Sequence, residues 1–94
     1  MIFSFEEVPD AGFKHSPLFR NGDRASIWDH AIIKRQVQAA LERNGFDPSV
    51  DKWVVGWDTS TELIALNALL TRYSGVNVML YDVVSDTWKE RTFG

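Results

Sequence analysis

Between residues 52 and 83 the apolar positions change their period twice. In Trp53-Val54-Val55-Gly56-Trp57-Asp58 the largest side chains fall at every second position. Trp53, Val55 and Trp57 therefore share one face of a strand, with Val54, Gly56 and Asp58 on the other. Thr59-Ser60-Thr61-Glu62 then fits a capping box, Thr59 at the N-cap and Glu62 reaching back to it. Leu63, Leu66, Leu70 and Tyr73 recur at helical spacing, and Ile64, Ala65, Ala68 and Leu69 widen the stripe, which predicts a largely buried helix. Ser74-Gly75 ends it, because glycine takes the left-handed position beyond a helix end without steric cost. Val76 to Tyr81 is a nearly continuous apolar run, the signature of a strand covered on both faces. Two strands joined by one helix predict a parallel pair.

The flanking segments complete the pattern. Ile2–Val8 reads as a strand with Phe3 and Phe5 on one face, and Pro9-Asp10-Ala11-Gly12 as a turn. Residues 13–25 show no period, and a loop this long in a small domain is either a binding segment or a concealed element. Asn21-Gly22 could turn a short hairpin. A second helix is predicted from Ser26 as N-cap, with Asp29 in its first turn, to Arg43 or Asn44. Ile33, Val37, Ala40 and Leu41 form its buried stripe, Gly45 stops it, and Phe46 folds back on its end. Val84–Thr87 is a turn, and Trp88–Phe93 a closing antiparallel strand whose mixed charges suit a sheet edge. The expectation is one α+β domain over residues 1–94, β-α-β-α-β-β, a mixed sheet of about four strands with two helices.

Composition narrows the function. The chain has 94 residues and no cysteine, so disulfides, thiolate catalysis and cysteine zinc sites are excluded. The net charge of −3 divides into −1 over residues 1–47 and −2 over 48–94, which resembles neither a basic nucleic-acid footprint nor a strongly acidic mimic of one. No apolar run approaches membrane-spanning length, and the first residues lack the basic region of a signal peptide, so a soluble, cytoplasmic protein is expected. Four tryptophans are the outlier for this length.

Two placements of the tryptophan face are open. If the helices pack on the Val54/Gly56 side, Trp53 and Trp57 form an exposed aromatic platform that Trp88 could join. If they pack on the tryptophan side, these residues are core, the default use of aromatic area. Asp58 and Asp82 sit at the ends of the parallel strands, where α/β sheets bind ligands, and could hold a divalent cation for a hydrolase or nuclease. Locally, they also suit a helix cap and a turn. His15 reads as a solvated loop residue. Ser26 and His30 lie one turn apart, but no third partner or oxyanion arrangement accompanies them. Lys14, Lys34, Arg35 and Arg43 read as a solvated basic set, and Arg20 and Arg24 flank Asn21-Gly22-Asp23. No glycine motif for a nucleotide is present. No cofactor or metal is expected.

The stretch from Trp57 to Tyr81-Asp82 and on to Thr92-Phe93 resembles small structural proteins of tailed phages, built on strand, helix and closing hairpin. Size, lack of cysteine and aromatic richness are also similar to small phage-encoded inhibitors of bacterial defence. Neither resemblance carries a specific motif or transfers a functional residue. The tryptophan content, with no catalytic constellation beside it, points to a non-enzymatic protein-binding module, an inhibitor or assembly factor. Its anchors would be Trp53, Trp57 and Trp88, with Phe13, Phe19, Arg20 and Arg24 from the loop. Self-assembly through either edge of the sheet is an alternative, the Ile2–Val8 strand carrying little edge protection beyond Glu6 and Glu7. Nucleic-acid and membrane partners are not expected.

Overall fold

The computed structural model describes residues 1–20, 26 and 28–94. Its strands are β1 (Ile2–Ser4), β2 (Ser16–Pro17), β3 (Lys52–Val54), β4 (Val76–Asp82) and β5 (Thr87–Phe93), and its helices are α1 (His30–Arg43) and α2 (Thr59–Arg72). They build one mixed sheet in the order β2-β1-β3-β4-β5. β5 is antiparallel to β4, and the other neighbours are parallel. This is the expected α+β architecture with one strand more. The central unit forms as the sequence implies: β3 and β4 lie side by side, Trp53 opposite Val78 and Val54 opposite Met79.

Both helices pack on one face of the sheet. That face carries Phe3, Trp53, Val76 and Val78, with Phe5 just beyond β1, and it meets Ile33, Val37 and Leu41 of α1 and Ala65, Ala68 and Leu69 of α2. Trp53 is therefore core, fully buried, and the exposed-platform placement does not apply to it. The reason is area: an indole at the middle of the sheet offers more surface to bury than any neighbour, and the small Ala65 and Ala68 leave room for it under α2. Its Nε1 is the one buried side-chain polar atom without a hydrogen-bond partner among the described residues.

Helix boundaries depart from the sequence reading where local bonds decide them. α1 starts at His30, because Ser26 closes a turn first: its carbonyl accepts Asp29 N–H at 2.8 Å and its Oγ accepts Trp28 N–H at 3.3 Å. At the other end Phe46 N–H donates to Leu41 O and Gly45 N–H to Glu42 O, with Gly45 at φ +63°. This is the Schellman arrangement, and it returns Phe46 to the core as expected. α2 is preceded by Asp58 at the N-cap position. The capping box is not formed, because Glu62 reaches past Thr59 to Gly56 N–H. The buried stripe of α2 centres on Thr61, Ala65, Ala68 and Leu69, leaving Leu63, expected inside, 63 % exposed.

The concealed element in residues 13–25 is β2, which pairs Ser16 with Phe3 and Pro17 with Ser4. Leu18 and Phe19 N–H continue the ladder to Ser4 and Phe5 carbonyls at 2.9 and 3.0 Å. A proline is tolerated there because β2 is an edge. The expected Asn21-Gly22 turn and Arg24 lie outside the described residues. With β2 on one side and β3 on the other, β1 has no open edge, so self-pairing through Ile2–Val8 is overturned. The exposed long edge is β5, where Lys89, Glu90 and Arg91 supply the charges expected of it. No described helix is long and apolar enough to cross a membrane.

If Trp53 fills the centre of this core, Trp53→Ala should cost about 3–5 kcal/mol of unfolding free energy, read by urea denaturation. A midpoint within error of wild type would contradict the placement.

Candidate functional site

The second face of the sheet has no helix. Val54, Met79 and Ile2 project from it, and residues 5–15 fold across them, burying Val8 and Ala11 and partly Phe13. This loop is held by side chains rather than by regular structure. His15 Nε2 accepts Val8 N–H at 3.0 Å, with its Nδ1 placed 3.3 Å from Phe13 O, so His15 is a pin for the loop and not the solvated residue expected. Two indoles complete the attachment. Trp57 Nε1 donates to Pro9 O at 2.9 Å, and Trp88 Nε1 to Ala11 O at 3.0 Å. Gly56 lies close at the crossing: a Cβ there would be 3.2 Å from Val8 Cγ2 and 3.4 Å from Glu62 Oε1, so both side chains would have to shift by a few tenths of an ångström. The close approach at this glycine is therefore to the loop through Val8 and to α2 through Glu62.

Trp57 does not share a face with Trp53. β3 ends at Val54, the alternation breaks at Gly56, and the indole turns to the opposite side. There it meets Tyr81 and Trp88, cross-strand neighbours in the β4–β5 ladder. The three ring centroids lie 5.3–5.4 Å apart, and Phe13 abuts Trp88 at 5.3 Å. Rings this close fill the space between them, so the cluster is a solid aromatic surface rather than a cage. Trp88 and Phe13 are half-buried in it, while Trp57 keeps 49 % of its surface exposed.

The cluster stands at the C-terminal end of the parallel strands, where both helices begin. Val83 and Val84, at the β4–β5 turn, are 80 % and 97 % exposed. Trp28, before α1, is 85 % exposed, and Leu63 faces outward from the first turn of α2. The N-terminal halves of the helices flank a shallow groove of about 400 Å³ lined by His30, Ala31, Lys34, Leu63, Ile64 and Asn67. Of the residues proposed as anchors, Trp57, Trp88 and Phe13 come together, and Trp53 is removed to the core. Phe19 packs on Phe5 at 5.3 Å near the β2 edge, and Arg20 shares a hollow there with Glu6, Glu7, Pro17 and Phe19.

Beside Trp57 lies a cleft of about 180 Å³ lined by Glu6, Glu7, Asp58 and Glu62 with Pro9, Gly56, Trp57 and Thr61. Glu62 is 5 % exposed, and its Oε1 accepts Gly56 N–H at 2.7 Å. Burial pushes its carboxyl up to about 7; the Gly56 bond opposes the rise, and the charges of Glu6 and Asp58 add to it.

Asp58 and Asp82, the carboxylates of the alternative reading, lie at the N-cap of α2 and at the end of β4. Asp82 organises its turn, accepting Val84 N–H at 3.0 Å, the Ser85 hydroxyl at 2.9 Å and Lys89 Nζ at 2.7 Å. These donors hold its carboxyl down at about 2. Among the described residues no three His, Asp or Glu side chains converge to hold a metal ion. Ser26 Oγ is engaged with Trp28 N–H and shares no hydrogen bond with His30.

Tyr81, Trp28, Val83, Val84 and Glu62 were not among the sequence candidates. The two valines carried a signal, as adjacent apolar residues inside a polar turn. Glu62 carried none, because its partner Gly56 lies six residues back. The fold and site define a small α+β domain that presents an aromatic and aliphatic surface with carboxylates beside it. The chain matches no protein-family model, no curated protein and no solved structure.

Because the folded state raises the Glu62 carboxyl from 4.5 to about 7, its stability contribution is greatest below pH 4.5 and is lost as pH rises to 7. Unfolding free energy should fall by on the order of 2–3 kcal/mol across that window. Glu62→Gln keeps an acceptor for Gly56 N–H and should remove this component, leaving the variant the more stable at pH 8. Equal pH dependence in the two proteins, followed by urea unfolding, would assign the effect elsewhere.

Proposed function

We propose that this domain is a non-enzymatic protein-binding module, of the kind an inhibitor or assembly factor uses, and that it binds through the C-terminal end of its parallel strands. The observation that carries this reading is Trp57. An indole fixed by a hydrogen bond to Pro9 O and by ring contacts with Tyr81 and Trp88, yet half open to solvent, loses little freedom when a partner covers it. Tryptophan is the residue type most enriched among dominant interface anchors. The exposed Val83 and Val84 extend the apolar area on one side of it. The setting in this reading is the cytoplasm, where a cysteine-free chain forgoes no disulfide.

Capture of a stoichiometric partner from source-cell lysate, followed by calorimetry with that partner, tests the reading. Trp57→Ala should weaken binding by about 2 kcal/mol or more, roughly 30-fold. Val84→Ser, at a fully solvated turn, should weaken it without moving the unfolding midpoint. Val50→Ser, at the opposite end of the sheet, should leave it unchanged. Partner affinity indifferent to both Trp57→Ala and Val84→Ser would remove this surface from consideration.

A further inference from the structure

The chemistry around Trp57 specifies what kind of segment can cover it. Glu7 and Asp58 are exposed, line the cleft against Trp57, and make no ion pair among the described residues. Glu62 stands behind them at the floor of the same cleft. An apolar partner segment laid on Trp57 would bring these carboxylates out of water without compensation, which opposes binding. A segment carrying a cation at that point would reverse the sign. The cleft, at about 180 Å³, has room for an ammonium or guanidinium head. The Trp57 ring forms one wall, against which an aliphatic stem or a guanidinium plane can lie.

A second copy of the chain is a poor occupant. Of the two sheet edges, β2 has only two residues, one of them a proline, and the longer, β5, has Lys89-Glu90-Arg91 at its middle. In a continuous sheet, residues facing each other across a two-fold axis share a face, so central registers set Lys89, Glu90 or Arg91 against its own copy. Like charges directly opposite are destabilising. Two cations toward the opposite sheet end are already engaged: Lys52 is paired with Glu90, and Arg72 with Glu42.

We therefore propose that the Trp57 surface recognises a basic-apolar peptide segment of another protein. Its lysine or arginine enters the cleft between Glu7 and Asp58, and a neighbouring aromatic or branched side chain covers Trp57, Val83 and Val84. The inference rests on the binding-module reading and adds the partner's chemistry to it.

A displayed library of random peptides, selected on the wild-type protein, supplies the test; enriched sequences are then synthesised and titrated by fluorescence polarisation. The expected peptides carry lysine or arginine beside an apolar residue and lose binding to Trp57→Ala and Val84→Ser. Glu7→Gln with Asp58→Asn should weaken them roughly three- to tenfold, and added salt should do the same. Peptides that depend on Trp57 and Val84 but are neutral or acidic, or are indifferent to the carboxylate variant, would overturn the basic segment and leave the binding module standing. Enrichment of no peptide dependent on Trp57 or Val84 would overturn both.

Discussion

A sheet with both of its helices on one side must cover its other face by some other means, and that requirement organises this molecule. Val54 is fully buried on the side away from the helices, only one residue from Trp53, fully buried on the side toward them. The cover over Val54 is an irregular loop, residues 5–15, whose backbone cannot satisfy itself by ladder or helix bonds. Its polar groups need named partners. His15 takes the Val8 amide, and the two indole N–H groups take the Pro9 and Ala11 carbonyls. Trp57 and Trp88 thus have a structural duty before any other, and the surface they expose is rigid because that duty fixes them.

The parts of the fold legible in the sequence are those set by local periodicity. The stripe of α1, the stop at Gly45 with the return of Phe46, and the parallel β3–β4 pair all follow from residues within a few positions of one another. What the sequence withheld is set at long range. β2 has only two residues and no period; its existence depends on the exposed side of β1 lying next to it. Which face of β3 the helices take depends on the bulk of Trp53 against the small residues of α2. Even the alternation that placed Trp57 beside Trp53 held only while β3 lasted; the strand ends at Val54, and Gly56 lies against Val8, some fifty residues back in the chain. Half of the candidate site was therefore visible as residue types, and its grouping was not.

Departures from local preference gather at one end of the molecule. At the C-terminal end of the parallel strands stand the buried carboxyl of Glu62, Asp10 and Asp86 in left-handed conformations at φ +59° and +55°, and two valines in a solvated turn. An aspartate tolerates the left-handed conformation at small cost, but an ionised carboxylate with almost no exposure is expensive. At the other end a complete Schellman stop closes α1, and Asp51 accepts the Asp47 amide in the connector to β3. Natural sequences break local rules chiefly where another requirement overrides stability.

Glu62 shows how such an override can work here. Its bond to Gly56 N–H fixes the residue immediately before Trp57, and the same carboxyl contributes negative charge to the cleft beside the indole. A glutamine would make the bond at lower cost but would contribute no charge. A carboxylate that serves only the fold gains nothing over glutamine at this position, because burial makes its charge a liability. A carboxylate that also meets an incoming cation recovers part of its desolvation cost on binding, when the opposite charge is supplied. The protonation that favours the unbound fold would give way to ionisation in the complex. In the proposed complex, proton release on binding near neutral pH would be the thermodynamic counterpart of that exchange.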